Sequence, residues 1–207
     1  MEKRSPKKTA KADTARRKSG RNVADEDVFS SREEILAAAA RLFKKDGYSG
    51  VSIRQIADAA GIQSGSLYHH FASKREMYVE LNREEMQKVV QSIGAAVEKF
   101  EDPWDRLEAA ITTHLSMSLD ADLPAMLLSA DEAALAGEMR AELLKNRRGF
   151  DQLYKKLVVD LPLPDGIDRD VLHIVLMSVV NDTSMWYRKG RLSREQVAKH
   201  LFRILRV

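Results

Sequence analysis

Within the nine residues Gln63-Ser64-Gly65-Ser66-Leu67-Tyr68-His69-His70-Phe71, two hydroxyls, a phenol and two imidazoles surround two apolar side chains spaced four apart. On a helix Leu67 and Phe71 share one side and turn Ser64, Ser66, Tyr68 and His69 the other way. That outward face donates and accepts hydrogen bonds and carries no carboxylate, so it can approach phosphates and base edges without repulsion. Gly65, lacking a side chain, lets the backbone itself come close to DNA. The adjacent pair His69-His70 invites a metal reading. Neighbours on a helix point about 100° apart, however, and do not readily share an ion. No metal and no cofactor are expected.

Other chemistry has little to work with. The chain has no cysteine, which excludes a disulfide framework, a thiolate nucleophile and every Cys-ligated metal site. An enzyme would have to use His114 with Asp131 or Glu132 as acid and base. No nucleophile, ligand set or phosphate-binding loop stands at a recognisable spacing beside them, so the chain reads as a binding protein and not an enzyme.

The elements that must hold the hydrogen-bonding face are helices. From Ser31 onward the periodicity is helical, Gly and Pro sit mostly at boundaries, and no stretch alternates as a strand would, which predicts an all-α protein. A first helix follows Ser30 or Ser31 and ends at Gly47. A second, capped by Ser52 and closed by Gly61, is about two turns long, and the third is Ser64 to Phe71. Two short helices joined by a Gly-containing turn are what a helix-turn-helix requires, with the second presented to the major groove. Ser73 with Glu76 predicts a capping box opening a fourth, long helix to about Phe100. Asp102-Pro103 starts a fifth helix, ending near Leu119. A short helix is expected from Leu123-Pro124 to Leu128 and a long one from Asp131 to about Val159. Two more should run from Asp168 to Lys189-Gly190 and from Ser193 to Arg206, the last with Ser193 and Gln196 as a capping box.

Composition divides the chain into a basic tail, a head and a body. Residues 1–22 hold nine cations against Glu2 and Asp13, a net +7 that leaves −4 for the rest of a chain whose total is +3. Residues 1–30 have too few large apolar side chains to offset ordering entropy and are expected to be disordered. The tail alone would coat DNA without preference. A head at 31–77 and a body at 78–207 follow. No apolar run approaches a membrane span and no secretory signal is visible, so a cytoplasmic, non-membrane protein is expected.

The run IADAAGIQSGSLYHHFASKREM, Ile56 to Met77, resembles the TetR family of transcriptional regulators. That family shows an Ile-Ala-x-x-Ala-Gly-Val/Ile turn, then Gly-Thr/Ser-Leu-Tyr-x-His/Tyr-Phe, then Ser-Lys. The likeness covers Ser31 to Leu81, and its recognition run is most like members controlling fatty-acid or steroid catabolism. It implies a ligand-responsive repressor that binds a palindromic DNA operator as a homodimer and is released by a small hydrophobic effector, an acyl-CoA compound being one candidate. It places Ser52, Tyr68 and Lys74 on phosphates, and Arg54, Ser64, Gly65, Ser66 and His69 at bases or the groove wall. Arg54 is the leading base reader, since a guanidinium addresses guanine O6 and N7 together. Gln63 stands where many members have a capping Ser.

In the body, eight of the ten residues Val171 to Val180 are apolar, too many for one stripe. With Val197, Leu201, Phe202, Ile204, Leu205 and Val207, they predict a homodimer surface built from the helices 168–189 and 193–206. Candidate effector contacts are His114, Met117, Met126, Leu127, Met177, Asn181 and Met185, combining adaptable thioethers with isolated polar groups. Arg140, Lys145, Arg147 and Arg148 are the cations an acyl-CoA would need.

Overall fold

The computed structural model describes residues 32–119, 137–188 and 190–206. The basic tail, the short helix expected at 123–128, the start of the helix expected from Asp131, and Met126, Leu127, Asp131 and Glu132 lie outside these residues. Among the described residues the chain forms eight helices and no strand: α1 Arg32–Gly50, α2 Ile53–Ala60, α3 Ser64–His70, α4 Lys74–Val97, α5 Pro103–Ser118, α6 Gly137–Val159, α7 Arg169–Trp186 and α8 Arg194–Leu205.

Most boundaries follow from local chemistry. Gly47 adopts φ +74°, interrupting α1 where the apolar periodicity ends. Ser52 and Gln55 form a reciprocal capping box on α2, and Gly61 closes that helix in the left-handed region. Asp102 accepts from the Trp104 and Asp105 amides, with Pro103 in the first turn of α5. Ser193 and Gln196 form the expected box on α8. Two details differ. Ser73 caps α4 by accepting the Glu76 amide, but the Glu76 carboxylate takes the Ala72 N–H at 2.7 Å, so the reciprocal half of that box goes to the preceding residue. Helix α7 stops at Trp186, because Tyr187 turns to extended backbone and its hydroxyl donates to the Leu192 carbonyl.

Two hydrophobic cores share α4. Met77, Tyr78 and Leu81 on its first turns pack with Ile35, Phe43, Ile56, Leu67 and Phe71 of the head. Met86, Val89, Ile93 and Val97 further along join Trp104, Ile111, Tyr154, Val180 and Phe202 in the body. The head core also contains Met139 and Leu143 from α6, so a division at residue 77 cuts through a helix and leaves part of the head's packing on the body's side. No described helix is long and apolar enough to cross a membrane.

Candidate nucleic-acid interface and effector pocket

Leu67 and Phe71 are buried at the back of α3, and this anchors the orientation of everything in front. Tyr68 is 55% exposed, and His69 and Gly65 are exposed, while Ser64 and Ser66 are partly so. Ser64/Tyr68 and Gly65/His69 are one turn apart, which stacks them on a common outward face. Gln63 makes no side-chain cap, so the first-turn amides of α3 carry no capping side chain. Arg54 on α2 and Ser52, the cap of that helix, are both exposed. The Ser52 hydroxyl accepts the Gln55 amide at 3.3 Å and lies 2.7 Å from Gln55 Oε1, so its proton is already used within the cap.

Lys74 has a different setting from a free surface cation. Its ammonium donates to the Tyr48 carbonyl at 2.8 Å and the Val51 carbonyl at 2.7 Å, and it sits 4.2 Å from the Tyr48 ring centroid. Burial lowers its pKa and raises that of Tyr48. The next residue faces the other way: Arg75 pairs with Glu138 and Glu142 of α6. The head is further held by Arg32, which pairs with Glu80 of α4 and lies over the Phe71 ring at 4.4 Å. The Arg32 guanidinium keeps the Glu80 carboxyl below the usual carboxylate range. None of these ties was visible in the sequence, since each joins residues more than twenty positions apart.

In the body, Met177 and Asn181 line a pocket of about 250 Å³ between α6 and α7, together with Leu144, Arg147, Arg148, Phe150 and Asp151. Two of the four expected cations are therefore at its wall, while Arg140 and Lys145 are not among its lining. His114 lies behind Phe150, with ring centroids 4.9 Å apart and planes at 83°. It is wholly buried, and its pKa is pushed down to about 4, by loss of solvation first and by Arg147 second. The Tyr154 hydroxyl is 3.2 Å from the Ala110 carbonyl and 3.3 Å from His114 Nδ1. With its one proton given to Ala110, its oxygen accepts from Nδ1–H. Met117 packs against the body core instead of the pocket wall. The Met185 side chain is outside the described residues.

Helix α7 turns Val171, Ile174 and Val175 to solvent, Ile174 at 62%, and Trp186 and the Ile204 side chain of α8 are exposed as well. Val171, Ile174 and Val175 recur at three- and four-residue spacing, a stripe that nothing covers among the described residues.

Comparison with known proteins agrees with this layout. Residues 35–81 match the family model described as bacterial regulatory proteins, tetR family, and residues 101–206 match the one described as tetracyclin repressor-like, C-terminal domain. The HTH-type transcriptional repressor KstR2 of Mycobacterium tuberculosis is 32% identical over 185 residues, covering 86% of this chain and 92% of that protein. The solved structure of the ketosteroid transcriptional regulator KstR2 of that organism aligns with a TM-score of 0.66 at 26% identity, over 84% of this chain and 92% of that one. The structure of AibR in complex with isovaleryl coenzyme A and operator DNA shares the fold, with a TM-score of 0.72 at 23% identity over 84% of this chain and 96% of that one.

Proposed function

The chain belongs to the TetR family of bacterial transcriptional regulators, not to any enzyme class, and on that premise we propose that it is a repressor that binds a palindromic operator as a homodimer and is released by a small hydrophobic effector. The observation that carries this reading is the acid-free face of α3, with Tyr68 and His69 exposed over a buried Leu67 and Phe71. Ser64, Gly65, Ser66 and His69 meet the groove, Arg54 reads a base, and Ser52 and Tyr68 hold phosphates. For Ser52 this means exchanging its bond to Gln55 for one to DNA. The basic tail adds non-specific attraction. The protein acts in the cytoplasm, where its operator is.

The apolar faces of α7 and α8 pair across a two-fold axis and set the spacing of the two heads. The effector enters between α6 and α7, against Met177, Asn181 and Phe150, with Arg147 and Arg148 receiving its anionic part. An acyl-CoA compound has both components. The similarity to KstR2, named a ketosteroid transcriptional regulator, supports a hydrophobic effector of catabolic origin.

Selection of bound duplexes from a random pool tests the reading. A two-fold symmetric consensus is expected, followed by release when acyl-CoA compounds of graded chain length are added. Recovery of unrelated sequences would refute operator recognition.

A further inference from the structure

The first turn of α4 grips the end of α1, beyond its Gly47 kink, and the connection to α2 from two sides. Lys74 reaches the Tyr48 and Val51 carbonyls, and Tyr78, one turn along, packs edge-on against the Tyr48 ring with centroids 4.9 Å apart. Tyr48 is therefore held between an ammonium and a phenol of the same helix. Gly47, at φ +74°, makes the bend that brings this segment to α4. Val51 precedes Ser52, the cap of α2, and Arg54 is two residues further on.

An ammonium has three donors, and here two are spent on carbonyls within the protein. A partly buried charge needs such partners, and with two donors on carbonyls and the ammonium lying against the Tyr48 ring, Lys74 is directed into the protein. Resting on the operator-binding reading above, we propose that Lys74 is a positioning residue: it sets sequence preference by holding the α1–α2 connection, and through it Ser52 and Arg54, in place against α4, and it does not itself neutralise a phosphate. The two roles differ in what salt does. A phosphate contact releases a counterion and contributes about 0.9 to the slope of log affinity against log salt, on every sequence alike. A positioning contact contributes nothing to that slope and acts only where bases are read.

The test uses full-length wild type, Lys74→Met and Lys74→Arg, with the duplex selected by the wild type and a scrambled duplex. For Lys74→Met we expect the ratio of selected to scrambled affinity to fall at least tenfold, with the salt slope unchanged on both. Lys74→Arg keeps the charge, but its planar fork does not reproduce the two carbonyl bonds, so it should lose preference as well. A slope lowered by about one unit with preference kept, or full rescue by Arg, overturns the proposal. Amide exchange gives a readout without DNA. The Gln55 and Ile56 amides, bonded to Ser52, should exchange at least tenfold faster in Lys74→Met, while those of Ile111 and Leu115 in the body do not. Unchanged exchange at Gln55 and Ile56 overturns it too. Should Lys74→Met leave the head unfolded, Lys74→Arg carries both measurements. Should the wild type select no sequence, the operator reading fails, and the exchange data still decide whether Lys74 holds the connection.

Discussion

Leu143 of α6 lies in the same buried cluster as Phe43 of α1, a hundred residues earlier, so the reading head borrows part of its core from the body. A large-to-small change in such a site loses the transfer energy of the removed atoms and leaves a cavity. Leu143→Ala is expected to destabilise the head by about 2–5 kcal/mol. Amide exchange along α1, α2 and α3 should quicken although no residue of those helices is altered. Quickening confined to α6 would show that the head holds together without it.

His114 supplies a prediction about acid. Its folded pKa of about 4 lies below the ordinary value of 6.5, so the unfolded chain takes up the proton first. The corresponding stability is intact above about pH 6.5 and is lost as pH falls toward 4. For a shift of that size the loss is on the order of 3 kcal/mol. Urea denaturation between pH 4 and 7 should show this slope in the wild type, reduced by about one proton in His114→Leu, which leaves Tyr154 its bond to Ala110. Identical slopes in the two proteins would mean that His114 is not held neutral by burial.

Arg54 is exposed on α2 and unencumbered by the cap next to it, which suits a base reader. Arg54→Ala should weaken binding to the selected operator by about 1–3 kcal/mol and relax preference at one base position. Equal loss on all sequences would reassign Arg54 to the backbone.

How far these features could be seen in advance depended on their range along the chain. Ser52, Gly61, Asp102-Pro103 and Ser193 act within three or four residues, and their helix ends were predictable to within a residue or so. The outward face of α3 followed from the four-residue spacing of Leu67 and Phe71. The family resemblance puts Lys74 at a phosphate, and only the folded chain shows Tyr48 and Val51, 26 and 23 positions away, at its ammonium. The same holds for the body. Met177 and Asn181 share a face of α7 and meet one pocket, whereas nothing local says that His114, on α5, lies behind Phe150 of α6. Glu76 shows a subtler limit: the Ser73–Glu76 spacing predicts a capping box, yet only the Ser73 half forms and the carboxylate takes the amide one residue before the cap.

The solvent-facing stripe of α7 leads to a prediction about assembly. Ile174→Asp places a charge where apolar contact is proposed, and an unpaired buried charge is not tolerated. Sedimentation should show a dimer for the wild type and a monomer for the variant. Because two linked half-site contacts act as one, operator affinity should fall roughly 100-fold or more with the monomer's fold intact. A dimeric variant with unchanged affinity would move the interface elsewhere.

The last prediction concerns coupling between the two sites. Helix α6 carries Arg147, Arg148, Phe150 and Asp151 at the pocket, and two to three turns earlier it carries Glu138 and Glu142 against Arg75, with Asn146 bonded to Asn82 in between. All three ties land on the first turns of α4: two on Arg75, next to the Lys74 that contacts the head, and the third on Asn82, about two turns along. A ligand that displaces α6 must therefore strain or break contacts that fix the head's orientation. The heads need to meet successive major grooves about 34 to 36 Å apart, so a small reorientation costs contacts on both half-sites. Effector binding should lower operator affinity with a coupling of about 1–3 kcal/mol, and operator should weaken effector binding by the same factor. Replacing Glu138 and Glu142 by Gln removes the charges facing Arg75, and it should reduce that factor while leaving effector affinity for the DNA-free protein unchanged. Titrating the releasing acyl-CoA with and without operator, for wild type and Glu138→Gln/Glu142→Gln, measures both quantities. Equal effector affinity with and without operator in the wild type would mean that pocket and head are energetically independent, and the ties through Arg75 and Asn146 would then be packing alone.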